Sequence, residues 1–329
     1  MVYAMTTKVP VALIFFRRQC VMSVLEKIRD YAPEQLFLIA DGGRTPEEHM
    51  QCQAVRRSVD EAIDWPCRVE RIYSDRNLGC RGNIPRGITW VFSQVDQSII
   101  LEDDTVPTPD FFTFCAEMLE RYADAPRVMT VSGTNYFPNC ACFGDRSYLF
   151  SGYAETCGYA TWARAWYHYD ADIQLWPAAK NRGFLKSVFL GQQEQVFWEK
   201  VFDEIWSRTC RCDPYDIQWL LASFLQNGLS IVPISNLVTN IGSGPEATHT
   251  QVNGKLLGRS IQTLSRPLKH PPVVVRNADF DQQYGRFIFY GDPPTAWQRL
   301  RTRVVSLLPD SVRAALRTLR TWRYARGGQ

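Results

Sequence analysis

Ser98-Ile99-Ile100-Leu101-Glu102-Asp103-Asp104 is an apolar run that stops abruptly in three acids. The run has the length and composition of a buried strand. Three adjoining carboxylates at its end are costly, because like charges repel and each resists leaving water. A divalent cation removes that cost, and oxygen-only ligands suit Mg²⁺ or Mn²⁺. Mg²⁺ takes one or two carboxylates and fills its shell with phosphate oxygens, so a phosphorylated ligand is expected with it. The plainer alternative is a solvated acidic turn ahead of Thr105-Val106-Pro107.

The flanking sequence favours the site. Residues 9–16, VPVALIFF, read as a buried strand, and Val21, Val24, Leu25 and Ile28 mark a helix face that ends before Pro33. Residues 36–44, LFLIADGGR, form a strand running into a Gly42-Gly43 turn, and a helix opens near Thr45-Pro46-Glu47. Residues 67–74 are a short strand, and the loop 75–83 leads into a helix over 84–95. Beyond the acids, 109–123 is a helix, 128–137 a strand and its loop, and 216–228 a helix closed by Asn227-Gly228. Residues 229–242 are a further strand and loop. Strand–helix alternation predicts a parallel sheet covered on both faces, with ligands at the carboxyl ends of the strands. Asp41, Asn77 and residues 102–104 fall at or just beyond such ends.

The 329 residues, 45% hydrophobic and 22% charged, suffice for a large core and exclude disorder or coiled coil as the main architecture. Residues 296–329 carry eight Arg and one acid, Asp310, a net of +7 that leaves the rest of the chain at −4. An acidic body with a basic tail does not read as a nucleic-acid-binding domain. The tail reads as two amphipathic helices split at Pro309, which either pack on the body or lie on an anionic membrane through residues 296–326. No 18-residue apolar stretch predicts a membrane span, and MVYAMTTKVP lacks the features of a secretory signal. The expected setting is the cytoplasm, at or near the inner face of the plasma membrane, with ten reduced Cys. Cys140-x-Cys142 and Cys210-x-Cys212 give only a weak zinc signal, and free thiols are the better expectation.

The order of these motifs resembles GT-A fold glycosyltransferases, which use nucleotide-diphosphate sugars, over roughly residues 9–250. It is most similar to N-acetylglucosaminyltransferase-I-type enzymes and related bacterial sugar transferases. The likeness rests on Arg17-Arg18 after the first strand, Asp41-Gly42-Gly43-Arg44, Arg76-Asn77-Leu78-Gly79, the strand ending in Glu102-Asp103-Asp104 with its Asp110-Phe111-Phe112 helix, and Val131-Ser132-Gly133-Thr134-Asn135. It implies an α/β Rossmann-like fold with a mostly parallel mixed sheet between helices and a basic helical extension. Residues 1–128 would form the nucleotide-sugar half, 129–295 the acceptor and catalytic half, and 296–329 the tail.

The resemblance also implies roles. Arg18 would sit near the donor diphosphate or nucleoside, and Asp41 would accept from the base or ribose. Asn77 and Arg81 would flank the nucleotide, Glu102 and Asp103 would hold sugar hydroxyls, and Asp104 would bind Mn²⁺ or Mg²⁺. Inverting transfer needs a base, assigned to Asp216 at a helix start, with Asp213 and Glu155 next in line. His249 is the candidate additional metal ligand. Gly158-Tyr159-Ala160-Thr161-Trp162 looks like the acceptor-side segment, with core packing an equal alternative for Trp162 and Trp166. The implied activity is transfer of a sugar, most simply from a UDP-sugar, to a glycan or lipid-linked acceptor. A nucleotidyltransferase would carry a Gly-rich loop after the first strand, where this chain has Phe16-Arg17-Arg18-Gln19. A non-catalytic nucleotide-sugar or glycan-binding protein would not need the acids.

Overall fold

The computed structural model describes residues 8–210, 214–242 and 259–292. Met1–Tyr284 and Gly285–Gln329 are separate compact units. Within the second, the described part is a short π-helical turn, Arg286–Tyr290. The basic tail lies outside the described residues.

The first unit begins as the apolar runs dictate. Strand β1 (Val11–Phe15) leads to α1 (Val21–Tyr31), β2 (Gln35–Ala40), α2 (Pro46–Glu61), β3 (Arg68–Tyr73), α3 (Gly79–Phe92) and β4 (Gln97–Glu102). A helix follows each of the first three strands, and β3, β2, β1 and β4 pair in parallel. Then follow β5 (Thr105–Pro107), α4 (Pro109–Arg121), β6 (Val128–Ser132), β7 (Tyr148–Ser151), β8 (Tyr159–Trp162) and α5 (Ala163–Trp166). The chain continues through α6 (Trp176–Asn181), α7 (Phe184–Val188), α8 (Gln192–Trp206), α9 (Asp216–Leu225), β9 (Leu229–Pro233), β10 (Val238–Asn240) and α10 (Ala278–Gly285).

Eight strands form one sheet in the order β3-β2-β1-β4-β8-β6-β9-β7. Strands β8 and β7 run against the other six, so the sheet is mixed but mostly parallel, as expected. The apolar strands are continuous because both faces are covered. Val11, Leu13 and Phe15 pack with Val24 and Ile28 of α1 on one side. Ala12 and Ile14 pack with Ile84 and Ile88 of α3 and Trp219 of α9 on the other. Each large apolar side chain so buried contributes roughly 1.5–3 kcal/mol.

Two helices start where local chemistry says they should. Thr45 caps α2 and Thr108 caps α4, each hydroxyl accepting a backbone N–H, with Pro next in line. Helix α3 starts five residues earlier than the expected 84, and Pro85 lies inside it. Its cap is not local, as described below. Trp162 and Trp166 are core. Trp162 ends β8 and donates to the Leu119 carbonyl, and Trp166 stacks on Tyr169 with ring centroids 4.3 Å apart. Tyr159–Trp162 is a buried central strand, with Gly158 just ahead of it.

Cys140 and Cys142 are joined in a disulfide, because the turn at 140–143 brings their Cα atoms to 5.3 Å. That corrects the expectation of free thiols for this pair and removes two ligands from the zinc alternative. Cys212 lies outside the described residues. Among those residues no helix is long and apolar enough to cross a membrane.

Candidate active site

Strands β1, β2 and β4 end side by side, and a cleft of about 490 Å³ opens there. One wall is Phe16 and Arg18 after β1. A second is Asp41 after β2 with Asn77, Gly79 and Asn83 around the start of α3. The floor is Glu102, Asp103 and Asp104, and the far wall is Glu155, Thr156, Cys157 and Asn240.

The acids are half-buried and crowded. Burial and the neighbouring Asp104 charge push Glu102 up to about 8, against the pull of the Tyr215 hydroxyl, which donates to its Oε1 at 2.8 Å. Burial and Asp104 push Asp103 up to about 7, with Arg18 and the Phe16 N–H opposing. Asp104 is raised by burial and lowered by Arg18, whose Nη1 stands 3.4 Å from its Oδ2. The antiparallel pair β10–β5 brings Asn240 alongside Thr105. Asn240 Nδ2 thereby reaches Asp104 Oδ1 at 3.3 Å, and its own Oδ1 accepts the Gly242 N–H at 2.7 Å. A side chain at 242 would place its Cβ 2.1 Å from Asp104 Oδ2, so the glycine lets the backbone there lie against the acid.

Asp41 has a structural job that the sequence did not show. Its Oδ1 accepts N–H groups of Gly42 and Leu78 at 2.9 and 2.8 Å. Its Oδ2 accepts the Asn77 amide and the Gly79 N–H, both at 3.0 Å. A carboxylate offers about four acceptor positions, and all are taken by the chain itself. Asp41, on the cleft wall, therefore holds the 77–79 loop and caps α3. Asn77 is bound into the same knot, its Nδ2 also reaching the Gly42 carbonyl at 2.9 Å. Gly42 is required there, since a Cβ would lie 2.5 Å from the Arg76 backbone.

Arg81 points away from the cleft. Its guanidinium donates to the Ala171 carbonyl at 2.7 Å and Asp172 at 2.9 Å, tying α3 to the loop after α5. Asp216 is the exposed first residue of α9, outside the cleft lining but close enough for its charge to raise both Glu102 and Glu155. Glu155 lines the cleft, accepts from the Tyr284 hydroxyl and is raised mainly by burial. Asp213 and His249 lie outside the described residues. Asn83, Thr156, Cys157 and Asn240 were not singled out from sequence. Each is a common polar residue in an unremarkable stretch, and only the fold brings them together.

No three His, Cys, Asp or Glu side chains among the described residues form a ready metal cage. The donor set still fits Mg²⁺ or Mn²⁺ held largely by phosphate. Asp104, with Asp103 beside it, would supply the one or two carboxylates such an ion uses, and burial raises the proton affinity of both.

No protein-family model matches the sequence, and no curated protein matches it. Among solved structures the chain is similar to HddC from Yersinia pseudotuberculosis complexed with GMP-PN, at 10% identity and a TM-score of 0.29, over 47% of this chain and 77% of that one. It is similar to a UDP-glucose pyrophosphorylase complexed with UDP-glucose, at 10% identity and 0.25, over 44% and 63%. It is also similar to 4-diphosphocytidyl-2C-methyl-D-erythritol synthase from Anaerococcus prevotii, at 9% identity and 0.31, over 67% and 99%.

Proposed function

We propose that the cleft binds a nucleotide-diphosphate sugar and that the chain transfers the sugar to a glycan or lipid-linked acceptor. The observation that carries this is the placement of Glu102, Asp103 and Asp104 with Arg18 at the joined ends of β1 and β4. Asp104 and Asp103 would hold Mn²⁺ or Mg²⁺. A divalent ion held there would supply positive charge against the negative charge building on the departing diphosphate. Arg18, already beside Asp104, is placed to turn its guanidinium to the same phosphates. Glu102, fixed by Tyr215, presents its second oxygen to sugar hydroxyls. Asp216 takes the proton of the attacking acceptor hydroxyl, which makes the reaction inverting. Nucleotidyl transfer is the runner-up, and the glycine-free turn Phe16–Gln19 weighs against it.

The test is release of nucleoside diphosphate from a panel of nucleotide sugars, with Mn²⁺ or EDTA, by the native chain and by Asp104→Asn. Metal-dependent release from one donor, reduced at least 100-fold in the variant, is expected. Release of pyrophosphate from a nucleoside triphosphate and a sugar phosphate would instead establish nucleotidyl transfer. Absence of metal-dependent nucleotide-sugar binding by calorimetry would overturn the transferase assignment.

A further inference from the structure

Helix α3 presents Asn83 to the cleft one turn beyond Gly79. Asn83 is 2% exposed, and its Oδ1 has no hydrogen-bond partner among the described residues. A buried amide oxygen left unpaired costs stability, and such groups are rare in folded chains. Packing alone would favour an apolar residue here, because Ile14 and Ile84 flank the same part of the cleft. Next to it, Asp41 is saturated and the Asn77 Nδ2 is spent on Asp41 and Gly42. Asn83 Oδ1 is thus a buried acceptor on this wall for which the described residues supply no donor.

A carbonyl oxygen has nothing to offer a phosphate, which brings no N–H and carries negative charge. It fits a planar ring that presents an N–H in its plane while its faces lie against aliphatic side chains. We infer that Asn83 is the residue that reads the nucleobase of the donor, pairing its amide with the base's hydrogen-bonding edge. The inference rests on the nucleotide-sugar assignment above and adds to it the group that discriminates between bases. Asp41 then acts as a positioning residue, holding the start of α3 so that Asn83 faces the cleft.

The experiment compares binding of UDP, CDP, GDP, ADP and inorganic pyrophosphate, each with Mn²⁺, by calorimetry. The proteins are the native chain, Asn83→Ala and Asn83→Leu. The native chain should prefer one nucleotide over the others, and over pyrophosphate, by at least tenfold. Both variants should lose that preference while pyrophosphate affinity stays within twofold. Asn83→Leu should melt no lower than the native chain, because an unpaired amide is replaced by an apolar group of like size. A preference that survives in both variants overturns the inference. So does an equal fall in pyrophosphate affinity. Native binding of pyrophosphate with no preference among nucleotides would sink the Asn83 assignment alone. No binding of pyrophosphate or any nucleotide would sink the nucleotide-sugar assignment with it.

Discussion

Asp41, at the end of β2, accepts the backbone N–H of Gly79 at 3.0 Å and so caps a helix that begins 38 residues further along the chain. The neighbouring Leu78 N–H is held by the same carboxylate at 2.8 Å. Two of the open donors at the start of α3 are thus satisfied by another element of the fold.

Removal of that carboxylate should be expensive. Asp41→Ala leaves three backbone N–H groups and the Asn77 amide without their acceptor, and should cost about 2–3 kcal/mol in urea unfolding. Asn77→Ala removes one of the four bonds and should cost about 1 kcal/mol. Equal losses from the two changes would mean that Asp41 is not the organising group.

The floor of the cleft should make the metal-free protein sensitive to pH. Glu102 and Asp103 bind protons more tightly in the folded chain, with values near about 8 and about 7, than they do once unfolded. The folded state therefore holds more protons through the window from about pH 5 to 8, and stability falls as pH rises through it. In EDTA, the contribution of these two groups should lower the melting temperature from pH 6 to pH 8. Mn²⁺ must displace those protons, so its stabilising effect should grow over the same interval. The comparison is native chain against Glu102→Gln. An identical slope in both would place the pH dependence elsewhere.

Gly242→Ala should strike Asp104 while leaving the fold intact. The added methyl would sit 2.1 Å from Asp104 Oδ2, so either the loop or the acid must move. Mn²⁺ affinity should fall at least tenfold, about 1.4 kcal/mol, while far-ultraviolet circular dichroism stays native. Unchanged affinity would show that Asp104 is not the ligand.

A fourth expectation concerns α10. Asp281 is 1% exposed and receives Ser151 Oγ, the Gly152 N–H and Arg276 Nε. Asp281→Ala leaves Arg276 and two further donors without their partner and should cost about 3 kcal/mol. Arg276→Ala should cost less, because that guanidinium is 30% exposed. Chemical denaturation of the two variants checks the order.

Much of the frame was legible because apolar runs and local caps are. The strands at 11–15, 35–40 and 97–102 and the helices opened by Thr45 and Thr108 follow from neighbouring residues alone. The start of α3 was not, because its cap comes from Asp41 and leaves no trace beside it in sequence. For the same reason the capping role of Asp41 was not legible. An acid before Gly-Gly looks open to a ligand until the donors folded against it are seen. Arg81 was misplaced because helical spacing does not say which side of α3 meets the 170–174 loop. The acid triplet was visible because a run of charge at the end of an apolar strand needs no partner to be noticed. Asn83 and Asn240 gain meaning only from what they face.

Strand β8 lies between β4 and β6, although it follows both in the chain. Residues 1–128 cut out by themselves would thus leave β4 as an open sheet edge, with the backbone of Ser98, Ile99 and Ile100 no longer covered by Tyr159–Thr161. Such an edge is a template for pairing with other copies. Residues 1–128 are accordingly not a detachable module. A chain emerging from the ribosome must keep that apolar edge from its neighbours until some sixty further residues have been made.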